Sequence, residues 1–105
     1  MRVADYITEF LFNNGIKTSF MLSGTGSVFL DDAFANYEGM SYVSARHESA
    51  AVMMAVGYYK SSHKPGVALV TTGPGGANAV GGVVEAWVDS VPVIIISGQV
   101  ESKFL

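Results

Sequence analysis

The sequence contains 105 residues, half of them hydrophobic and 14% charged, with a net charge of −3 and no cysteine. A compact chain of this length buries roughly 65% of its unfolded surface, so we expect one ordered domain with a core. The acidic balance offers no basic surface to nucleic acid or to an anionic membrane. The lack of cysteine excludes a disulfide framework and a thiolate metal site.

The sequence lacks the features of a membrane-inserted or secreted protein. Its longest apolar stretches, such as residues 91–96, are far shorter than the about 20 residues that a transmembrane helix needs. Its first residues lack the pattern of a secretion signal, so we expect a cytoplasmic protein. The charged fraction of 14% is below the about 25% typical of globular domains. Part of the surface is therefore expected to be covered by more of the same polypeptide or by another subunit.

The first half of the chain predicts helices and strands in alternation. Apolar residues at helical spacing, followed by an Asn-Gly stop signal, predict a helix over residues 3–14, and residues 18–22 have the pattern of a strand. A glycine-bearing turn at residues 23–27 leads into a second predicted helix over residues 28–37. The side chains of that helix expected to face inward are Phe29, Ala33 and Phe34, and those expected to be exposed are Asp31 and Asp32.

The second half continues the alternation. Strands are predicted over residues 41–45, 67–71 and 91–97, and the last is a β-branched run typical of a strand covered on both faces. The helix predicted over residues 48–61 is apolar on nearly every face, which indicates that it is buried all round. A fourth helix is predicted over residues 77–88.

This alternation predicts an α/β fold: a parallel sheet with right-handed crossovers and helices on both faces. Ligands of such sheets bind beyond the carboxyl ends of the strands. The loops at that edge are therefore the candidate site. They are residues 23–27, 46–48, 72–77 and 98–100.

The turn Gly24-Thr25-Gly26 resembles the start of a dinucleotide fingerprint, whose glycines let backbone amides approach a pyrophosphate at a helix amino terminus. Phe29 replaces the third glycine, while Glu48 lies about where the ribose-binding acid would be. For this motif a Rossmann-type nucleotide-binding domain and a plain tight turn both stay open.

A denser glycine loop, Gly73-Pro74-Gly75-Gly76, lies between a predicted strand and a predicted helix. No Gly-Lys-Ser/Thr follows it, so it is not a Walker loop. Its free amides at the helix start are expected to line a flat or polar ligand. Asn78, in the first turn, is expected to be a helix cap or a ligand contact.

Glu48 is the strongest single candidate, because it opens a helix that is otherwise apolar. Its carboxylate either lies in an interior or interface, where an unpaired charge is costly, or merely complements the helix dipole. Arg46 and His47 beside it are expected to have structural roles. Two histidines without clustered carboxylates do not predict a metal site.

Several motifs together resemble one enzyme family. They are Arg46-His47-Glu48 before an Ala-rich helix, Lys64-Pro65-Gly66-Val67, Thr72-Gly73-Pro74-Gly75-Gly76-Ala77-Asn78, and Asp89-Ser90-Val91-Pro92-Val93 leading to Gly98-Gln99-Val100. In this order and at these intervals they resemble the amino-terminal, pyrimidine-binding domain of thiamine diphosphate-dependent enzymes of the acetolactate synthase type. The resemblance covers essentially the whole chain.

The resemblance implies a role for each matching position. It implies that Glu48 is the catalytic glutamate that hydrogen-bonds N1′ of the cofactor's aminopyrimidine and so promotes removal of the thiazolium C2 proton. The positions that it places at the cofactor are Gly24, Thr25, Gly26, Glu48, Thr72, Pro74, Gly75 and Asn78. The family usually has Gly-x-Pro-Gly-Gly where this chain has Gly-Thr-Gly-Ser-Val, a departure that bears on the contacts of this loop and on substrate choice.

The resemblance also implies partners outside these 105 residues. In the family, thiamine diphosphate is held through Mg²⁺ by a separate diphosphate-binding domain of another subunit, so a homo-oligomer is implied. The pyrimidine domain normally continues beyond Leu105, so residues 1–105 are expected to be an incomplete domain, inactive alone. The implied enzyme is a lyase or transferase that decarboxylates or carboligates a 2-oxo acid such as pyruvate. Some relatives contain FAD, which nothing here indicates.

Two alternatives stay open beside this enzyme. One is a non-catalytic pairing module that keeps the fold and binds only a partner chain. The other is the Rossmann-type nucleotide-binding domain, which would bind NAD by itself.

Overall fold

The computed structural model describes residues 1–105 and contains all eight predicted elements. The helices are α1 (Val3–Asn13), α2 (Val28–Asn36), α3 (Glu48–Ser62) and α4 (Pro74–Val88). The strands are β1 (Thr18–Met21), β2 (Ser41–Ser44), β3 (Val67–Val70) and β4 (Ile94–Ser97). Short 3₁₀ turns occur at Thr25–Ser27 and Ser102–Phe104. None of the helices combines the length and the apolar character that crossing a membrane requires.

The four strands form one parallel sheet in the order β2-β1-β3-β4, which confirms the predicted fold class. β3 lies in the middle, where Ala68 pairs with Phe20 of β1 and with Ile95 of β4. The chain moves outward from β1 to β2 and then, from β3 onward, in the opposite direction. The strand order therefore reverses between β1 and β3, and in such sheets the ligand crevice lies at the carboxyl ends of the strands at this point.

Helices cover both faces of the sheet, as predicted. Along β3, Ala68 and Val70 belong to an apolar cluster with residues of α3 and α4, whereas Val67 and Leu69 belong to a second cluster with Leu11 of α1. Successive strand residues point to opposite faces, so α3 and α4 lie on one face and α1 and α2 on the other. All four β3 residues are buried, which explains why this strand is apolar without alternation.

Two element boundaries differ from prediction by three residues, and the others agree within one residue. α4 begins at Pro74 rather than at residue 77, because proline at the first helical position has no amide to satisfy and its φ already suits a helix. β4 begins at Ile94 rather than at residue 91. The Val91 amide instead donates to the Ala86 carbonyl at 2.9 Å, at the end of α4, and the proline that follows has no amide for a sheet.

Two predicted side-chain positions in α2 are wrong. Phe29 is 67% exposed, because the inward stripe consists of Leu30, Ala33 and Phe34 at i, i+3 and i+4, and Phe29 lies one position away from it. Asp31 is partly buried rather than exposed, and it makes hydrogen bonds to the turn before the helix.

α3 is buried on one face only, so the prediction of burial all round is wrong for this chain. Val52 is fully buried, but Met53 and Met54 are exposed. Exposed apolar side chains continue on α4, where Trp87 is 85% exposed. The chain thus presents the uncovered apolar surface that its low charged fraction predicts.

Gly82 determines how closely α3 and α4 approach. A Cβ on Gly82 would collide with Cβ of Val52 and lie 2.9 Å from the carbonyl oxygen of Ser49. We expect Gly82→Ala to lower the free energy of unfolding by about 1–2 kcal/mol, because overpacking outweighs the gain in helix propensity. Chemical denaturation measures this change.

Gly57 on α3 provides the matched control. Nothing lies within 4 Å of the Cβ that alanine would add there. Gly57→Ala should therefore raise the free energy of unfolding by about 0.5–1 kcal/mol. Equal effects of the two substitutions would contradict this account of the α3–α4 contact.

Candidate functional site

Three loops meet at the carboxyl ends of β1, β3 and β4. The amide of Gly26 donates to Oγ1 of Thr71 at 3.0 Å, and the amide of Gly98 donates to the carbonyl of Val70 at 2.8 Å. A Cβ on Gly98 would overlap the carbonyl oxygen of Gly26. The loops after β1 and β4 therefore touch next to the end of β3, at the edge where the ligand crevice is expected.

Glu48, the first residue of α3, is buried, with 9% of its surface exposed. His47 caps the helix, since its Nδ1 accepts a hydrogen bond from the Ser49 amide at 3.1 Å. This confirms a structural role for His47 and orients the backbone at Glu48. The Glu48 carboxylate has one hydrogen-bond partner in the chain, because Nδ2 of Asn78 donates to Oε2 at 3.4 Å. Its other oxygen, Oε1, has none.

A second hydrogen bond connects the starts of α3 and α4. Oγ of Ser49 donates to the backbone carbonyl of Asn78. Gly81 leaves room for this contact, since a Cβ there would lie 3.1 Å from Oγ of Ser49. Ser49 is not among the residues predicted to form the site, and its only signal in the sequence is its place beside Glu48. The bond holds the two helices together next to the carboxylate.

The glycine loop after β3 satisfies much of its own backbone. The Gly75 amide donates to the Thr72 carbonyl at 3.2 Å, and the Ala77 amide donates to the Gly73 carbonyl at 3.0 Å. The prediction of a row of free amides is therefore wrong for these two donors. Gly75 is buried, and a Cβ there would lie 2.8 Å from Cγ2 of Thr71. The loop thus provides close approach of the backbone more than free donors.

Thr72 contacts Gln99, a residue of the loop and motif at positions 98–100 for which the sequence predicts no individual role. Oγ1 of Thr72 donates to Oε1 of Gln99 at 3.3 Å, and the Val100 amide donates to the same oxygen at 2.9 Å. Both bonds orient the Gln99 amide. Its Nε2 donor makes no hydrogen bond in the chain, so Gln99 joins the candidate site. Pro74 lies exposed nearby, at the start of α4.

The structure brings the predicted residues together in two groups. Glu48 meets Asn78, while Gly24 and Gly75 lie against Thr71; a Cβ on Gly24 would be 2.5 Å from Thr71 Cβ. No hydrogen bond joins the two groups. α4 connects them, because Gly75 and Asn78 are three residues apart and such residues are neighbours on a helix surface.

The geometry of the Gly24-Thr25-Gly26 turn contradicts the dinucleotide alternative. The Gly24 amide donates to Oδ2 of Asp31 at 3.4 Å, and the Gly26 amide donates to Thr71. The amides that would hold a pyrophosphate are therefore engaged, and a carboxylate lies where the anion would bind. Thr25 remains exposed between the two glycines. No three His, Cys, Asp or Glu side chains form a group that could hold a metal ion.

The partial burial of Asp31 makes stability depend on pH. Desolvation raises the pKa of Asp31 above its ordinary 3.8, against the opposing effect of hydrogen bonds from Ser27 and Gly24. The folded state favours the protonated form of Asp31. The stability that this preference contributes is therefore fully present below pH 3.8 and is lost as pH rises through the raised pKa. We expect Asp31→Asn to melt at a higher temperature than the wild type near pH 7, with the difference disappearing as the pH falls toward about 4.

Thermal denaturation across this pH range measures the effect. Besides Asp31, the titratable side chains lining the same cleft are Asp32 and Tyr42. Asp32→Asn is the control, because Asp32 is exposed and pairs with Arg2 at 2.8 Å, and such surface pairs contribute about 0–1 kcal/mol. A wild type that is at least as stable as Asp31→Asn near pH 7 would contradict this assignment.

Comparison with known proteins identifies one family. A family model described as "Thiamine pyrophosphate enzyme, N-terminal TPP binding domain" matches residues 1–105. The match spans the whole chain, including both groups of site residues.

Similar curated proteins are acetolactate synthases. The chain is 41% identical over 102 residues to the acetolactate synthase large subunit of Buchnera aphidicola subsp. Schizaphis graminum and 46% identical over 86 residues to that of Lactococcus lactis subsp. lactis. It is 38% identical over 102 residues to the chloroplastic acetolactate synthase of Arabidopsis thaliana. These alignments cover 97%, 82% and 97% of the chain but 18%, 15% and 15% of the relatives. The chain thus spans less than a fifth of the length of these relatives.

Proposed function

The chain belongs to the family of thiamine pyrophosphate enzymes, as their N-terminal TPP binding domain, and from this premise we propose that it forms the aminopyrimidine side of a thiamine diphosphate site in an enzyme acting on a 2-oxo acid. The observation that carries the proposal is the Glu48 carboxylate, buried at the start of α3 with one oxygen held by Asn78 and the other without a partner.

The residues present fit an aminopyrimidine. Oε1 of Glu48 makes no hydrogen bond within the chain and is not among the buried atoms that lack a partner, so it is accessible to a ligand. A protonated ring nitrogen is a donor that this oxygen can accept. Glycines at positions 24, 26 and 75 bring the backbone close to Thr71, so the loops pack tightly at this edge of the sheet. No lysine or arginine lies in these loops apart from Arg46, which agrees with a neutral ring rather than a phosphate at this edge.

We assign each residue a task. Glu48 holds a proton at the ring nitrogen, Asn78 orients the carboxylate through its Nδ2 donor, and Ser49 holds Asn78 in place. A carboxyl group within hydrogen-bond reach of a ring nitrogen is placed to act as a general acid or base there. When bound, thiamine diphosphate supplies a carbon nucleophile and an electron sink for cleavage beside a 2-oxo group. The other proposed contacts are Gly24, Thr25, Gly26, Thr72, Pro74 and Gly75.

The remaining parts of the enzyme belong to the proposal. Magnesium and the cofactor diphosphate are held by a diphosphate-binding domain of another subunit, in a cytoplasmic homo-oligomer. The exposed apolar side chains support a covered surface, since Val80, Val84 and Trp87 of α4 are 56%, 54% and 85% exposed. Apolar patches of this kind mark protein interfaces.

The experiment combines the chain with a matching diphosphate-binding protein, thiamine diphosphate, Mg²⁺ and pyruvate, and follows carbon dioxide release. We expect release that requires the cofactor. If the two proteins associate but neither bind cofactor nor release carbon dioxide, the non-catalytic pairing module replaces this proposal. If cofactor binds and none of a panel of 2-oxo acids is consumed, the substrate class is wrong and the cofactor site stands.

A further inference from the structure

Asp31 is a partly buried titratable group that the proposed function does not use. It lies in the first turn of α2 and is partly buried, although its neighbour Asp32 is exposed. Its Oδ2 accepts a hydrogen bond from Oγ of Ser27 at 2.9 Å and one from the Gly24 amide at 3.4 Å. One carboxylate oxygen thus holds both ends of the turn between β1 and α2.

The turn is closed by further bonds. The Ser27 amide donates to the Gly24 carbonyl at 3.2 Å, and Oγ of Ser27 also lies 3.3 Å from that carbonyl. On the opposite side, Oγ1 of Thr71 accepts from the Gly26 amide. Asp31 and Thr71 therefore engage the amides of both glycines that flank Thr25.

Thr25 is the residue that this arrangement leaves free. It is exposed, and with Ser23, Tyr42, Ser44 and neighbouring residues it lines an open cleft of about 580 Å³. The position of its backbone depends on the two anchors. Loss of the Asp31 anchor would leave the turn held only from the β3 side.

A helix cap alone does not require a carboxylate in this place. Oδ1 of Asp31 is buried without a hydrogen-bond partner, and burial of such an oxygen opposes folding. The cap position of α2 belongs to Ser27, and a neutral side chain at position 31 would avoid burying a charge. Because the carboxylate is placed unfavourably for stability, we infer that its contact with the Gly24 amide has another purpose, which is to hold the turn in position.

We propose that Asp31 is a positioning residue that holds the turn Gly24–Ser27, and with it Thr25, in place to contact the cofactor. The proposal rests on the proposed function, since it assumes that the turn contacts the aminopyrimidine. Asp31 itself touches neither cofactor nor substrate. It acts through Gly24 and Ser27.

The test compares Asp31→Ala, Asp31→Asn and the control Asp32→Ala in the assembled enzyme, prepared without cofactor. Hydrogen–deuterium exchange of residues 22–28 reports on the turn, and calorimetric titration with thiamine diphosphate reports on binding. We expect Asp31→Ala to speed exchange of this segment at least about tenfold and to weaken cofactor affinity about tenfold, the loss of roughly one hydrogen bond. Asp31→Asn should restore both values, because its amide oxygen accepts the same two bonds. Asp32→Ala should change neither.

The possible outcomes distinguish a wrong role for Asp31 from a wrong proposed function. A folded Asp31→Ala variant with wild-type affinity would show that Asp31 only stabilises the start of α2, and failure of Asp31→Asn to restore affinity would also overturn the proposal. If Asp31→Ala does not fold, Ser27→Ala removes one of the two bonds and is judged by the same readouts. A wild type that binds no thiamine diphosphate would overturn the proposed function instead.

Discussion

Replacing Glu48 with glutamine is expected to slow cofactor-dependent carbon dioxide release by about 10²–10⁴-fold, the usual contribution of a positioned acid–base group. Glutamine has nearly the same shape and can still accept the hydrogen bond from Asn78. It cannot hold and exchange a proton at the ring nitrogen, so the effect isolates proton transfer from the shape of the site. Single-turnover kinetics on the assembled enzyme measures the change.

Glu9→Gln provides the matched control for this substitution. Glu9 is a partly buried helical glutamate on α1, on the other face of the sheet from α3. Its replacement removes the same charge and should leave the rate unchanged. Cofactor affinity, titrated in parallel, separates weaker binding from slower chemistry. A Glu48→Gln enzyme that binds cofactor and releases carbon dioxide at the wild-type rate would refute the role given to Glu48.

Gly98→Ala is expected to destabilise the protein by about 3 kcal/mol, at the upper end of overpacking effects. The added Cβ would overlap the carbonyl oxygen of Gly26 and lie 2.5 Å from its carbonyl carbon and 2.9 Å from the Ser27 amide nitrogen. These are backbone atoms, which cannot move aside as a flexible side chain can. The substitution should therefore displace the turn after β1 and weaken cofactor binding as well as stability. Chemical denaturation and calorimetric titration measure the two effects.

Ser97→Ala tests whether the loss of stability in Gly98→Ala is caused by the added volume. Ser97 precedes Gly98, and its Oγ donates to the Thr71 carbonyl at 3.1 Å. Alanine there removes an exposed hydrogen bond and adds no atom, so we expect a loss of about 1 kcal/mol or less. If Gly98→Ala is no more harmful than Ser97→Ala, the loops after β1 and β4 are not in the close contact described.

The exposed faces of α3 and α4 show how composition anticipates an apolar surface. The charged fraction of 14% predicts that part of the surface is apolar, and the structure locates exposed apolar side chains at residues such as Met53, Met54 and Trp87. Composition cannot locate these side chains, because it does not show which face of a helix each residue occupies. The α3 sequence is apolar on nearly every face, so periodicity alone does not distinguish the face against the sheet from the face left open.

By itself, the sequence determined the order and type of all eight elements, the parallel sheet and the family. Those features follow from local periodicity, from Gly and Pro at the breaks and from motifs in a fixed order, none of which requires knowledge of distant contacts. The sequence also singled out Glu48, through a charge at the head of an apolar helix, and Asn78, which the structure places beside it.

Only the tertiary structure decided which polar groups are free and which are engaged. The Gly26 amide is taken by Thr71, 45 residues away along the chain, and Asn78 reaches Glu48 across 30 residues. The partial burial of Asp31 and the exposure of Phe29 were likewise decided by which stripe of α2 meets the sheet. Local sequence determines the conformation of each element, but hydrogen-bond partners and burial depend on how the elements dock, which is a property of the whole fold.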